Sequence, residues 1–249
     1  MRGATKLRRL AGLAREMLPP SRRFHSQGGE DRILSRLFPG RSGTYVDVGA
    51  YDPTEFSNTR HFYDLGWTGV NIEPNPARYE RIRAARPGDV NLNIGIAGSG
   101  GSLRFYEMDP PTLSTFSAEE AERCAQFPGH RIVATRLVPV RTLRDVLAEH
   151  AAGVRVDFLS IDTEGLEEEV LGSNDWTRFR PVALLIEHRR YHPAGLEGSS
   201  DSRWGPFLLQ QGYLFAASNP VNALYLRNED QELVGRLDAV NPRRFEWSR

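Results

Sequence analysis

Five short apolar runs set the limits on this fold: TYVDVGA (44–50), TGVNIEP (68–74), DVNLNIGIAG (89–98), VRVDFLSIDTEG (154–165) and PVALLIEHRR (181–190). Between them lie segments of helical periodicity such as FSNTRHFYDLG, PARYERIRAA, RTLRDVLAEH and LEEEVLG. Strands that are apolar throughout need cover on both faces, and parallel neighbours need a crossover long enough for a helix. The alternation predicts an α/β fold with a doubly wound, mostly parallel sheet. YLFAASN and NALYLRN lie only a few residues apart, so they form a hairpin that leaves an antiparallel strand at the end of the sheet. GGEDRILSRLF reads as a leading helix with Ile33, Leu34, Leu37 and Phe38 on its apolar side, and RWGPFLLQQG as a late one. GSLRFYEM reads as a hairpin strand followed by the irregular DPPTLSTFS, and RLVPV as a strand running into its helix. One domain from about 24 to 228 accounts for the pattern. A basic segment (1–23) precedes it and a polar tail (229–249) follows.

Charge and cysteine content narrow the function. The 32 basic and 32 acidic residues cancel, so no global attraction to nucleic acid is expected. The single cysteine, Cys124, excludes an internal disulfide and a cysteine-built metal site, and suits a reducing cytoplasm. No apolar run approaches the roughly 20 residues that span a bilayer. Residues 1–23 carry seven Lys/Arg against one Glu, with Leu7, Leu10, Ala14 and Leu18 at helical spacing. They lack the unbroken apolar core of a signal peptide. Such a helix is either mobile or packed on the domain, or it docks weakly on an anionic membrane surface or an acidic partner.

In wound sheets ligands bind beyond the carboxyl ends of the strands. Those ends carry Asp47, Glu73, Asn93, Asp162 with Glu164, and Glu187 with His188. Singly, each acid has a plain structural reading: Asp162 or Thr163 caps a helix, Glu187 pairs with Arg189 or Arg190, Asp47 accepts backbone N–H groups in its own turn. Together they line one crevice, because acids rarely gather at buried strand ends without a ligand. Glu73 follows Gly49 by 24 residues, the offset at which an acid grips the two hydroxyls of an adenosine ribose. The first turn is not G-x-G-x-x-G: Ala50, Tyr51, Asp52 and Pro53 follow Gly49. It suits adenosine without a diphosphate, and acids beside it suit positive charge. S-adenosylmethionine meets these conditions.

YVDVGAYDPTEFSNTRHFYDLGWTGVNIEPNP, NLNIGIAGSGGSLRFYE, VRTLRDVL and VDFLSIDTEGLEEEVLGSNDW resemble the FkbM family of S-adenosylmethionine-dependent methyltransferases, and SQGGEDRIL (26–34) resembles the segment that often precedes its core. The resemblance implies a seven-stranded, Rossmann-like methyltransferase fold with an antiparallel last strand, and methyl transfer to an oxygen, often a hydroxyl on a sugar or polyketide. It also implies that Asp47, Gly49 and Ala50 line the methionine half of the cofactor, that Glu73 holds the ribose, and that Asn93 and Ile94 approach the adenine. Gln27 closes over the site, and Ser57 and Asn58 belong to the same pocket, with N-capping of the next helix as their other reading. The departure from a glycine-rich turn leaves the backbone contacts open.

An aliphatic hydroxyl needs a base or a metal to become a nucleophile. His188 is the first candidate base, from its unperturbed pKa; Asp162, Glu164 and Glu187 follow, with His61 and His192 on flanking loops. Asp162 with Glu187 is alternatively a pair of oxygen ligands for a divalent cation such as magnesium. HRRYHPAGLEGSSDSRW reads as a lid over a small-molecule or glycan acceptor, flanked by DPPTLSTFS. Two other readings compete with the transferase: a nicotinamide-dependent oxidoreductase, which wants the absent glycine-rich turn, and a non-catalytic cofactor-binding protein.

Overall fold

The computed structural model describes residue 19, residues 23–188 and residues 204–238. Apart from residue 19, the basic N-terminal segment up to 22 lies outside the described residues, as do the loop with Arg189, Arg190 and His192 and the end of the chain.

Seven strands build the main sheet: β1 (Thr44–Val48), β2 (Thr68–Ile72), β3 (Val90–Leu92), β7 (Phe158–Ile161), β8 (Ala183–Glu187), β9 (Tyr213–Ser218) and β10 (Asn222–Arg227). Their spatial order is β3-β2-β1-β7-β8-β10-β9. The first five pair in parallel, and β10 runs antiparallel to both β8 and β9. The expected doubly wound α/β sheet with a closing antiparallel hairpin is the observed one. Strand order reverses between β1 and β7, which puts a crevice at their carboxyl ends.

Helices cover both faces: α1 (Glu30–Leu37), α2 (Arg60–Asp64), α3 (Pro76–Ala85), α4 (Ala118–Ala125), α5 (Leu143–His150), α6 (Glu167–Gly172), α7 (Gly205–Gln210) and α8 (Val234–Asp238). Alternate strand residues enter opposite layers. Val46, Val48, Leu159, Ile161, Leu184 and Ile186 pack with Val146, Leu147 and Val170 on one side. Tyr45, Phe158 and Leu185 pack with Leu34, Leu37, Phe62 and Trp67 on the other. α3 starts with Pro76 in its first turn, where Asn75 accepts the N–H groups of Ala77 and Arg78.

Three segments differ from the sequence reading. DVNLNIGIAG is two strands, not one: β3 stops at Leu92, and β4 (Gly95–Ile96) belongs to a second sheet of order β4-β6-β5. The break falls at Asn93, whose amide turns back to bond the Glu73 and Pro74 carbonyls instead of continuing the ladder. RLVPV is the end of an eleven-residue strand, β6 (Arg131–Arg141), antiparallel to β5 (Gly101–Asp109). The chain between them folds into a short 3-10 turn at Pro111–Leu113 and α4, sealed by Met108, Leu113, Ala121 and Cys124. Lastly, residues 228–238 are helical rather than a plain polar tail, because Leu233 and Leu237, four apart, bury against the layer containing α1.

Candidate active site

β1 ends in a turn that only glycine can begin. Gly49 has φ 85°, and a side chain there would run into the carbonyl oxygen of Asp162 beyond β7. The N–H groups of Gly49 and Ala50 both donate to the Ile72 carbonyl (3.0 and 3.1 Å), and that of Tyr51 donates to Glu73 Oε2 (2.8 Å). Three consecutive N–H groups that a phosphate-cradling turn would offer a ligand are therefore engaged inside the protein. Asp52 is buried and caps the same loop, accepting the N–H groups of Thr54 and Glu55 (both 2.9 Å) and pairing with Arg81.

Glu73 faces the resulting hollow from the end of β2. Its Oε1 accepts the N–H of Asn75 (2.8 Å), so each carboxylate oxygen already holds one backbone N–H and keeps a second lone pair. Burial pushes its carboxyl up to about 7, against the pull of those two N–H groups and of Arg78. Asn93 does not line the hollow; its bonds to the carbonyls of Glu73 and Pro74 (2.8 and 3.1 Å) fix the turn from behind. Ile94 does line it.

Beneath the turn a polar row crosses the sheet, because Asn91, Asn71, Asp47 and Ser160 are register partners on successive strands. Asp47 accepts from the Thr59 hydroxyl (2.7 Å) and from Ser160. Arg86, fully buried, closes the network: Nη1 donates to Thr59 Oγ1 (2.6 Å) and Asn71 Oδ1 (3.2 Å), Nη2 to Ser57 Oγ (2.6 Å) and the Pro53 carbonyl (2.9 Å). Burial raises the Asp47 carboxyl, while Thr59 and the charge of Arg86 lower it. Ser57 Oγ also accepts the Arg60 N–H (3.0 Å), so it caps the first turn of α2 and lines the hollow at once. Asn58 donates to Ser160 (3.0 Å).

At the other end lie the acids of β7 and β8. Asp162 and Glu187 hydrogen-bond to each other. Burial pushes Asp162 up to about 7, with the nearby charge of Glu167 adding to it; burial and then Asp162 drive Glu187 well above the usual carboxylate range. Glu164, at φ 51°, is raised by the same causes. Oxygens of Asp162, Glu164 and Glu187 lie within 4.8 Å of one another, a spacing a hard divalent cation can bridge. Glu167 holds the connecting turn by accepting from the N–H and hydroxyl of Thr163 and the N–H of Gly165. His188 lies outside this group: its Nε2 meets the Asn219 carbonyl at 2.9 Å. His61 is buried, with Nδ1 on the Arg23 carbonyl and its ring on Phe24.

Gln27, Asp47, Gly49, Ala50, Ser57, Asn58, Glu73, Ile94, Asp162 and Glu187 thus line one cavity. Its empty space is about 1040 Å³ with the open mouth included. The sequence pattern of the methyltransferase FkbM domain matches residues 47–215, from Asp47 to the last edge strand. The chain belongs to the FkbM methyltransferase family. No curated protein matches it.

In this FkbM methyltransferase the second sheet supplies a wall that sequence reading did not place. Phe105, Thr112 and Phe116 line the cavity from β5 and the turn after it, and Thr115 ties that turn to the acid end by donating to the Glu164 carbonyl (2.9 Å). The mouth carries a second unforeseen feature. Tyr51 and Phe56 both adopt left-handed backbone (φ 54° and 59°), and their rings stack with centroids 6.3 Å apart. Phe56 remains 44% exposed, and the Arg78 guanidinium lies 3.7 Å from the Tyr51 ring centre. Non-glycine residues held at positive φ concentrate at functional sites. A tyrosine directly after the Gly-Ala turn was the available signal.

Proposed function

We propose that this protein transfers a methyl group from S-adenosylmethionine to a hydroxyl oxygen, on a sugar or glycan precursor. The observation that carries the reading is Glu73: a buried carboxylate with one lone pair on each oxygen left over, beside a turn with no phosphate cradle. Those acceptor positions fit a ribose diol and no diphosphate, which also speaks against a nicotinamide dinucleotide. Ile72, Ile94, Ile96 and Phe116 give apolar surface for the adenine. Bound there, S-adenosylmethionine supplies a methyl group on a sulfonium, whose positive charge the acids of the cavity favour.

The chain's own work is alignment and proton removal. The acceptor hydroxyl gives its proton to the Asp162–Glu187 pair while its oxygen takes the methyl. His188, bonded to a carbonyl away from the cavity, has no part in this step. A divalent cation on Asp162, Glu164 and Glu187 is the second reading, favoured by their mutual spacing. The Tyr51–Phe56 pair suits the C–H face of a sugar ring. A cytoplasmic setting suits a chain whose one thiol is buried and pushed up to about 11 by that burial; no described helix is long and apolar enough to cross a membrane.

Thermal shift tests the reading directly. S-adenosylhomocysteine should raise the melting temperature and NAD should not; no response to the former removes the assignment. Glu73→Ala should weaken S-adenosylhomocysteine by about 1–3 kcal/mol, the cost of leaving hydrogen-bonding groups unpaired. Unchanged affinity by calorimetry would put the ribose elsewhere.

A further inference from the structure

Glu164 destabilises the fold in three ways, and no structural role offsets them. Its backbone is left-handed (φ 51°), a conformation that a side chain disfavours. It lies beside Asp162, Glu167 and Glu120, all of like charge. Its carboxyl makes no hydrogen bond among the described residues; the residue is engaged through its carbonyl. The other acids bordering the cavity differ, since Asp47, Asp52 and Glu73 each hold a hydroxyl or N–H group of the protein.

The strained turn is nevertheless clamped from two sides. Glu167 accepts from the N–H and hydroxyl of Thr163 and from the N–H of Gly165, so the residues flanking Glu164 are fixed. From the second sheet, Thr115 donates its hydroxyl to the Glu164 carbonyl (2.9 Å). Thr115 is buried, exchanges two backbone hydrogen bonds with Tyr106 of β5 (2.8 and 3.1 Å), and accepts the Ser117 N–H on the same hydroxyl (2.9 Å). Backbone strain persists where the surroundings over-determine it, and it concentrates at functional positions.

What the two clamps hold in place is an unengaged carboxyl on the cavity wall. In the proposed reaction the Asp162–Glu187 pair receives the hydroxyl that is methylated. Glu164 stands apart from that exchange, with an oxygen within 4.8 Å of theirs. A hydroxyl meets a carboxyl oxygen at about 2.7 Å, so two hydroxyls on neighbouring carbons reach the pair and Glu164 at once. Resting on the function proposed above, we infer that Glu164 receives a second hydroxyl of the acceptor, adjacent to the one methylated, with Thr115 as the positioning residue that sets it. The acceptor is then a vicinal diol, and a lone alcohol is a poor substrate.

Transfer of a labelled methyl group from S-adenosylmethionine to methyl glycosides of common hexoses, with the full chain in EDTA, tests this. For the glycoside that the parent protein methylates, analogues lacking one hydroxyl beside the methylated position are then compared. Loss of the hydroxyl that Glu164 holds should lower kcat/KM by about 10–100-fold, as expected for one hydrogen bond to a charged group. Glu164→Gly, which suits the left-handed backbone, should cost as much on the intact glycoside, add nothing on that analogue, and leave the melting temperature no lower than the parent's. Thr115→Val should show the same selective loss, restored by Thr115→Ser. Equal loss on glycoside and analogue, no loss on either, or a lowered melting temperature for Glu164→Gly overturns the inference while the proposed function stands. Transfer that requires magnesium overturns it too, because the three oxygens then belong to a cation. A parent protein that labels none of the glycosides removes both.

Discussion

Glu187→Gln should lower turnover by about 10²–10⁴-fold, the usual worth of a positioned acid or base, while S-adenosylhomocysteine affinity stays within about twofold. Glutamine keeps the shape and a hydrogen bond to Asp162 but cannot take the acceptor's proton. Asp162→Asn should behave alike, and the double variant should be little worse than either, because the two carboxyls act as one unit. Turnover should rise with pH through about 7, the range in which Asp162 ionises. Stability should move the other way. Unfolded carboxyls lose their protons near pH 4, whereas folded Glu73 and Asp162 hold theirs to about 7. Between those limits the native state binds more protons, so the melting temperature of the unliganded protein should fall as pH rises from about 4 to about 7. Loss of turnover in EDTA, restored by magnesium, would move the role from a shared proton to a cation. Full activity of Glu187→Gln in chelated buffer would remove these acids from the chemistry.

Arg86→Met should cost about 3–5 kcal/mol of folding stability, the range found when one member of a buried charged network is deleted. The side chain is buried throughout and reaches four oxygens, on Thr59, Asn71, Ser57 and Pro53. Its loss strands those acceptors and leaves the Asp47 carboxylate without its nearest positive charge. Methionine fills the volume, so the effect reports polar groups and not a cavity. Arg86→Lys should recover only part of it, since an ammonium cannot reproduce the planar fork. Urea unfolding decides; a change below about 1 kcal/mol would mean that water satisfies the network.

The sheet was legible in the sequence because strands buried on both faces read as unbroken apolar runs, and helices between them read at their own period. The crevice followed from where those runs end. His188 was misplaced by reasoning from pKa without parity: neighbours on a strand point to opposite sides, so with Glu187 facing the cavity His188 faces Asn219. Arg86 sat unremarked in RIRAARPGD, where it reads as an exposed helix end. The clue lay elsewhere, in the single polar residue carried by each of VDV, VNI, VNL and LSI, which register turns into a buried row in need of a cation. The second sheet was hidden for a different reason. DVNLNIGIAG has a continuous strand pattern, and only the back-bonding of Asn93 breaks it.

That second sheet departs from the domain and rejoins it at neighbouring points, with Gly95 and Ile96 paired to Val140 and Arg141. Everything between is an excursion whose ends are already clasped together, so its length can change without pulling on the strands that hold Glu73 or the acid pair. Away from Thr115 and Phe116, which stay tied to the cavity, this stretch can be lengthened or trimmed while the strands that carry Glu73 and the acid pair are inherited intact.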